Sequence, residues 1–86
     1  MLHGKLTAEQ RLQKGAIDIM AHPRYRALSG VLLIGERSVV EDGRIQTAAT
    51  DGKNEFYNRN FVDSMKDAEL RFLMLHEIGH KMYKHL

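Results

Sequence analysis

Residues 67–85 read DAELRFLMLHEIGHKMYKH, and this run predicts a C-terminal helix that organises the fold. Its candidate core-facing residues recur every four positions: Leu70, Met74, Ile78 and Met82. A recurrence of this kind lies on one face of an α-helix. Asp67 is a suitable N-cap, so we expect the helix to begin at Ala68.

The same run contains the pattern His-Glu-x-x-His, from His76 to His80. Two histidines four apart on a helix lie one above the other, so both imidazoles can reach one zinc ion. With His76 at 0°, His80 falls at about 40°, and Met74, Ile78 and Met82 fall between about 160° and 240°. The histidines therefore face away from the core, which favours a metal site over structural core histidines. Glu77 is the candidate general base for a metal-bound water; the alternative is two surface histidines flanking a helix glutamate.

The third metal ligand is open at this stage, although catalytic zinc sites usually have three protein ligands. His85 is nine residues after His76 and faces about 180° away on an unbroken helix. It could join the site only if the helix ended or kinked after about Lys81. The alternatives are a ligand beyond Leu86, one from another subunit, or a metal that is incompletely held. Other candidates lie elsewhere in the chain: His3, His22, Asp42 and Asp51.

Two further residues of the helix have alternative interpretations. Gly79 either permits close approach of a strand or loop, or is simply tolerated there. Tyr83 follows His80 by about one turn and could hydrogen-bond a substrate carbonyl. Packing with its hydroxyl in solvent is the favoured interpretation.

The first part of the chain predicts another helix, over residues 8–21. Thr7 and Gln10 form a capping-box pattern at its start. Pro23 ends it, because a residue before proline is pushed out of the helical region. Near the other helix, Asn60 is a candidate cap for a short helical turn over residues 61–65.

The middle of the chain predicts a small, mainly antiparallel sheet. Val31–Ile34 is a short apolar run typical of a buried strand. Residues 45–50 alternate, with Ile45, Thr47 and Ala49 on one side. Asp51-Gly52 predicts a tight turn, and residues 55–58 would be the return strand. Helices flanking a sheet give the fold class α+β.

Composition indicates one small domain over the 86 residues. Cysteine is absent, no apolar run reaches the roughly 20 residues of a membrane span, and the N-terminus lacks the apolar stretch of a signal peptide. We therefore predict a cytoplasmic protein. Formal charge is +2 and the sequence pI about 9.1. The densest basic spots, residues 24–26 and 81–84, are interpreted as solvated surface, so nucleic-acid binding is not favoured.

Three stretches together resemble a family of metallopeptidase domains often found ahead of a von Willebrand factor A-like domain, with bacterial and phage versions. The first is Gly30–Leu33. The second is residues 47–53 with Phe56-Tyr57-Asn58 and Phe61-Val62. The third is Leu75–His80 with His85.

The resemblance implies a zincin-like domain, in which a sheet packs against an active-site helix. It implies His76 and His80 as zinc ligands and Glu77 as catalytic base, and makes no firm statement about His85. Family members continue beyond the position of Leu86. Two functions follow: a zinc-dependent peptidase acting on a peptide or protein substrate, with a downstream or partner domain; or a non-catalytic peptide- or partner-binding module with an incomplete metal site.

Overall fold

The computed structural model describes residues 6–41 and 43–84. Over this part of the chain the class is α+β, as predicted. The helices and strands follow in this order: α1 (Ala8–Ala21), a 3-10 helix (Pro23–Leu28), α2 (Ser29–Leu32), β1 (Arg37–Val40), β2 (Ala48–Thr50), β3 (Glu55–Asn58), α3 (Arg59–Ser64) and α4 (Asp67–Lys84).

The sheet has the strand order β1-β3-β2, with β3 in the centre. β3 runs antiparallel to β2 and parallel to β1. The prediction of a mainly antiparallel sheet is therefore wrong, and the sheet is mixed. The reason is topological: the short hairpin occupies one side of β3, so β1 pairs on the other side, where its direction matches that of β3.

Helix α1 confirms the predicted boundaries and cap. Thr7 N–H donates to Gln10 Oε1 at 2.8 Å, and Gln10 N–H donates to Thr7 Oγ1 at 3.1 Å. Both donors would otherwise be unpaired at the helix start. At the other end, His22 is extended, with φ −77° and ψ 125°, immediately before Pro23.

The predicted strand over residues 31–34 is wrong. Ser29–Leu32 is a single helical turn, in which Leu32 is buried, and the following Leu33 is 74% exposed. A short apolar run does not by itself distinguish a strand from a buried helical turn. Gly35 follows with φ +66°, where a side chain would collide with the Lys53 carbonyl. The strand that enters the sheet is β1, which begins two residues later and which the sequence analysis missed.

The β2–β3 turn is confirmed. Asp51 N–H donates to the Asn54 carbonyl at 3.2 Å, and Gly52 has the positive φ of +95°. The Asp51 carboxylate accepts from the amides of Asn54 and Lys53, at 2.7 and 2.9 Å. These amide donors hold the pKa of Asp51 below its ordinary value. Asp51 thus closes the turn.

Strand β3 has the predicted bounds, but β2 is shorter than expected. Within β2, Ala48 is the residue that packs against the core, which settles which face of the alternating strand points inward.

The caps of the last two helices differ from the prediction. Asn58, not Asn60, caps α3 by accepting from Phe61 N–H at 3.0 Å. Asp67 is the first residue of α4, and its carboxylate receives Arg11 at 3.0 Å. Arg11 also donates to the carbonyls of Val62 and Met65. It thus joins α1 to the α3–α4 connection.

The core lies where α1 and α4 meet the sheet. A methyl group added at Gly15 would come within 2.6 Å of Met74 Sδ, so the two helices approach closely there. Met82, predicted in the core, is only half-buried. No helix within residues 6–41 and 43–84 is long and apolar enough to cross a bilayer; the cytoplasmic location stays a prediction. The buried apolar residues are Ala8, Leu12, Ala16, Ile19, Leu32, Tyr57, Val62, Leu70, Met74 and Ile78.

Candidate metal centre

His76 and His80 both lie on the exposed face of α4 and bring their ring nitrogens together. The two Nε2 atoms are 3.0 Å apart. The ring planes meet at 80°, with centroids 4.5 Å apart. Tetrahedral zinc with Zn–N bonds of about 2.0–2.1 Å separates two ligand nitrogens by about 3.3 Å. The pair therefore fits two coordination positions of one ion, and without metal one imidazole can donate to the other.

Glu77 lies beside this pair but is 6% exposed. Burial, followed by the negative charge of Glu55 and, more weakly, that of Glu77, raises the pKa of the Tyr57 hydroxyl. The Glu77 carboxylate therefore lies close enough to β3 to act on Tyr57 electrostatically. It also lines the same cleft as the two histidines. A carboxylate in this place can accept a proton from a water held at the imidazoles.

The cleft has a volume of about 610 Å³. One wall is residues 47–50, which include β2; the other is the histidine-bearing face of α4, and Phe61 and Leu73 also contribute. Because β2 is at the edge of the sheet, the site combines candidate metal ligands with a strand edge to which an extended peptide could pair.

A second depression adjoins the cleft and has a volume of about 560 Å³. It shares Phe61, Leu73 and His76 with the cleft, so the two are continuous. Its lining is mainly apolar and includes Phe72, whose side chain is 74% exposed. The sequence indicated an exposed Phe72, because this residue lies outside the apolar stripe of α4. It did not indicate that Phe61 of α3 and Met65 would complete the depression.

The described residues provide no group of three His, Cys, Asp or Glu side chains that could hold a metal ion. His3, Asp42 and His85 lie outside the described residues. α4 runs unbroken to Lys84, so the kink after Lys81 that would turn His85 toward the pair does not occur in this part of the chain. The role of His85 stays a prediction. His22 accepts instead from Arg24 N–H at 3.1 Å.

Gly79 and Tyr83 also lie on the exposed side of α4. A methyl group added at Gly79 would meet nothing within 4 Å among the described atoms, which favours simple tolerance of the glycine. Tyr83 lines the cleft and is 78% exposed. A contact between its hydroxyl and a substrate stays a prediction.

Lys81 corrects the sequence interpretation, which placed it on a solvated surface. It is fully buried, and its Nζ donates to Glu55 Oε2 at 2.5 Å and to the Ile34 carbonyl at 2.9 Å. Its helical angle of about 140° lies between those of Leu70, at about 120°, and Met74, at about 160°. That angle was the signal in the sequence, but the carboxylate that receives the ammonium group lies on a distant strand.

Glu55 is the centre of a buried polar cluster that the sequence analysis missed. Its carboxylate accepts two hydrogen bonds from Arg37, both 3.0 Å, and one from Tyr57 Oη at 2.7 Å, besides that from Lys81. Burial raises the pKa of Glu55, but these hydrogen bonds outweigh burial and leave it below its ordinary value. Among the described residues, no buried side-chain nitrogen or oxygen lacks a partner.

A single family accounts for nearly the whole chain. The family described as "putative metallopeptidase domain" matches residues 7–86. This chain belongs to that family. No curated protein and no solved structure matches it. The match confirms the family resemblance, and the description of the family suggests a metallopeptidase function.

Proposed function

We propose that this protein is a zinc-dependent peptidase of zincin-like architecture, with His76 and His80 as metal ligands. The observation that carries the proposal is the 3.0 Å approach of their Nε2 atoms, beside Glu77 in one cleft. Imidazole nitrogens are preferred zinc ligands, and the separation suits a tetrahedral ion. Zinc bound there would supply Lewis acidity and lower the pKa of a bound water to about 7.

The side chains of this protein would carry out proton transfer and orient the substrate. Glu77 accepts the proton of the attacking water and delivers it to the leaving amine, as a general base and then a general acid. Glu77 is 6% exposed and lines the same cleft as the two imidazoles, so its carboxylate can face a water held there. His76 and His80 fix the point toward which the scissile carbonyl must be turned.

The cleft also suggests how a peptide would be held. An extended segment added to β2 would gain main-chain hydrogen bonds at the open side of the strand. A large apolar side chain of the same peptide could enter the depression that contains Phe72, because this depression is continuous with the cleft. The proposed substrate is therefore an extended segment of a peptide or protein.

The test is zinc content of the purified protein together with cleavage of a mixed peptide library, measured by mass spectrometry. Glu77→Gln keeps the shape of the side chain but removes the base, so it should retain zinc and lose cleavage. Glu36→Gln is the matched control, because Glu36 is exposed and outside the cleft. Stoichiometric zinc with no cleavage at any pH would remove the peptidase proposal.

A second function is favoured by one observation: the described residues supply two imidazoles and no group of three ligands. The alternative is a non-catalytic module that binds a peptide or partner on the same cleft. Bound zinc should stabilise the fold by mass action. A melting temperature that EDTA leaves unchanged, together with peptide binding, would support this alternative.

A further inference from the structure

The buried cluster around Glu55 joins α4 to several other parts of the fold. From α4, Lys81 reaches Glu55 and the Ile34 carbonyl. From β1, Arg37 binds the same carboxylate and also donates to the Leu32 carbonyl at 2.6 Å. One ammonium group on α4 therefore contacts both the central strand and the segment between α2 and β1.

Lys81 lies next to the histidine pair, where the buried part of α4 ends. Lys81 directly follows His80 and is the last described residue of α4 that is buried. The apolar packing weakens beyond Ile78, since Met82 is only half-buried. The polar contact is thus the fixed point nearest the C-terminal end of the histidine pair.

We propose that Lys81 is a positioning residue for the metal site: its contacts with Glu55 and Ile34 set the rotation of α4, so that His76, Glu77 and His80 face β2. The helix with side chains has a radius of about 5–6 Å, so a rotation of about 20° would move a side-chain end by about 2 Å. Functional groups need placement within about 0.5 Å. Hydrogen bonds weaken steeply when they are misaligned, so the two contacts of the Lys81 ammonium group oppose a rotation of this size.

This inference rests on the proposed zinc site, and its test separates the two. The variant is Lys81→Met. It should fold, because Glu55 keeps its hydrogen bonds from Arg37 and Tyr57. Arg11→Met is the matched control, since Arg11 ties the other end of α4 through Asp67, away from the histidines.

Two measurements are made on each folded variant. Calorimetry gives the dissociation constant for Zn²⁺, and residual dipolar couplings of α4 amides relative to β3 amides give the helix rotation without metal. We expect Lys81→Met to weaken zinc binding at least about tenfold, the lower end for loss of groups that orient ligands, and to change the α4 couplings. Arg11→Met should bind zinc as the unaltered protein does.

Unchanged zinc affinity and unchanged couplings in Lys81→Met would overturn the positioning role and leave the zinc site standing. Equal losses in Lys81→Met and Arg11→Met would also overturn it, because they would indicate general loosening. If the unaltered protein bound no zinc, the proposed zinc site would fail and the couplings would decide the rotation alone. Should Lys81→Met not fold, the pair Glu55→Gln with Lys81→Met removes one charge of each sign and takes the same test.

Discussion

Polar residues on the two faces of α4 have opposite surroundings, buried among partners on one face and exposed at a cleft on the other. On the buried face, Lys81 lies among partners from other elements, and its ammonium group is fully enclosed. On the exposed face, His76 and His80 direct their Nε2 atoms toward each other at the edge of an open cleft. Both arrangements fall within six consecutive residues of one helix.

The buried face stabilises the fold, whereas the exposed face carries the proposed binding site. A buried charge is costly unless it is paired and hydrogen-bonded, so the Lys81–Glu55 contact binds elements of the fold together. Imidazoles at the surface carry no comparable need, and the convergence of their Nε2 atoms in the cleft brings both within reach of one ligand. Glu77 shares a property with each face, because it is buried yet lines the cleft.

The largest expected effect comes from disrupting the buried contact between Lys81 and Glu55. Glu55→Gln leaves the Lys81 ammonium buried without a carboxylate, a change that costs about 3–5 kcal/mol when one partner of a buried pair is removed. Urea denaturation should show this loss of unfolding free energy. Glu9→Gln is the control, since Glu9 pairs with Arg59 at the surface, and should change the midpoint very little. Similar small shifts in both variants would mean that the buried contact is not special.

Acidification should reduce the stability that the buried Glu55 contact contributes. The pKa of Glu55 is held below its ordinary value of 4.5 in the fold. Its contribution is therefore fully present above about pH 4.5 and is lost as the pH falls through the lower, folded-state value. The gap in unfolding free energy between the unaltered protein and Glu55→Gln should narrow on acidification. A gap that stays constant down to about pH 2 would contradict the lowered pKa.

Zinc bound at the exposed histidines should stabilise the folded protein. At a free concentration of about 100 times the dissociation constant, a ligand raises the unfolding free energy by about 2.7 kcal/mol. His80→Ala should lose this increase, while its stability without metal should stay close to that of the unaltered protein because the ring is exposed. Thermal melts with and without Zn²⁺ measure both. An equal zinc effect in His80→Ala would place the metal elsewhere.

The smallest effect compares two glycines. Gly79→Ala should stabilise the protein by about 1 kcal/mol, the helix-propensity difference, because its added methyl group meets no described atom within 4 Å. Gly15→Ala should gain less, since the same group must displace Met74 Sδ. Denaturation midpoints give the order of the two. If Gly79→Ala also reduced peptide cleavage, close approach of a ligand at this glycine would explain its place in the motif.

Several parts of the fold could be predicted because their signals are local. The Thr7–Gln10 capping box and Pro23 fixed both ends of α1. Leu70, Met74 and Ile78 identified the buried stripe of α4. The prediction over residues 31–34 failed, since an apolar run of four residues does not specify its own conformation.

The sequence by itself determined α1, α4, the β2–β3 turn and the spacing of His76, Glu77 and His80, because these depend on periodicity and on caps or turn signals within a few residues. The tertiary structure alone decided which strands pair, what covers Lys81 and which strand faces the histidines. Glu55 lies 26 residues before Lys81, and Ile34 lies 47 before it. Partners so far apart are chosen by packing of the whole chain, since a buried charge needs its partners in space rather than in sequence.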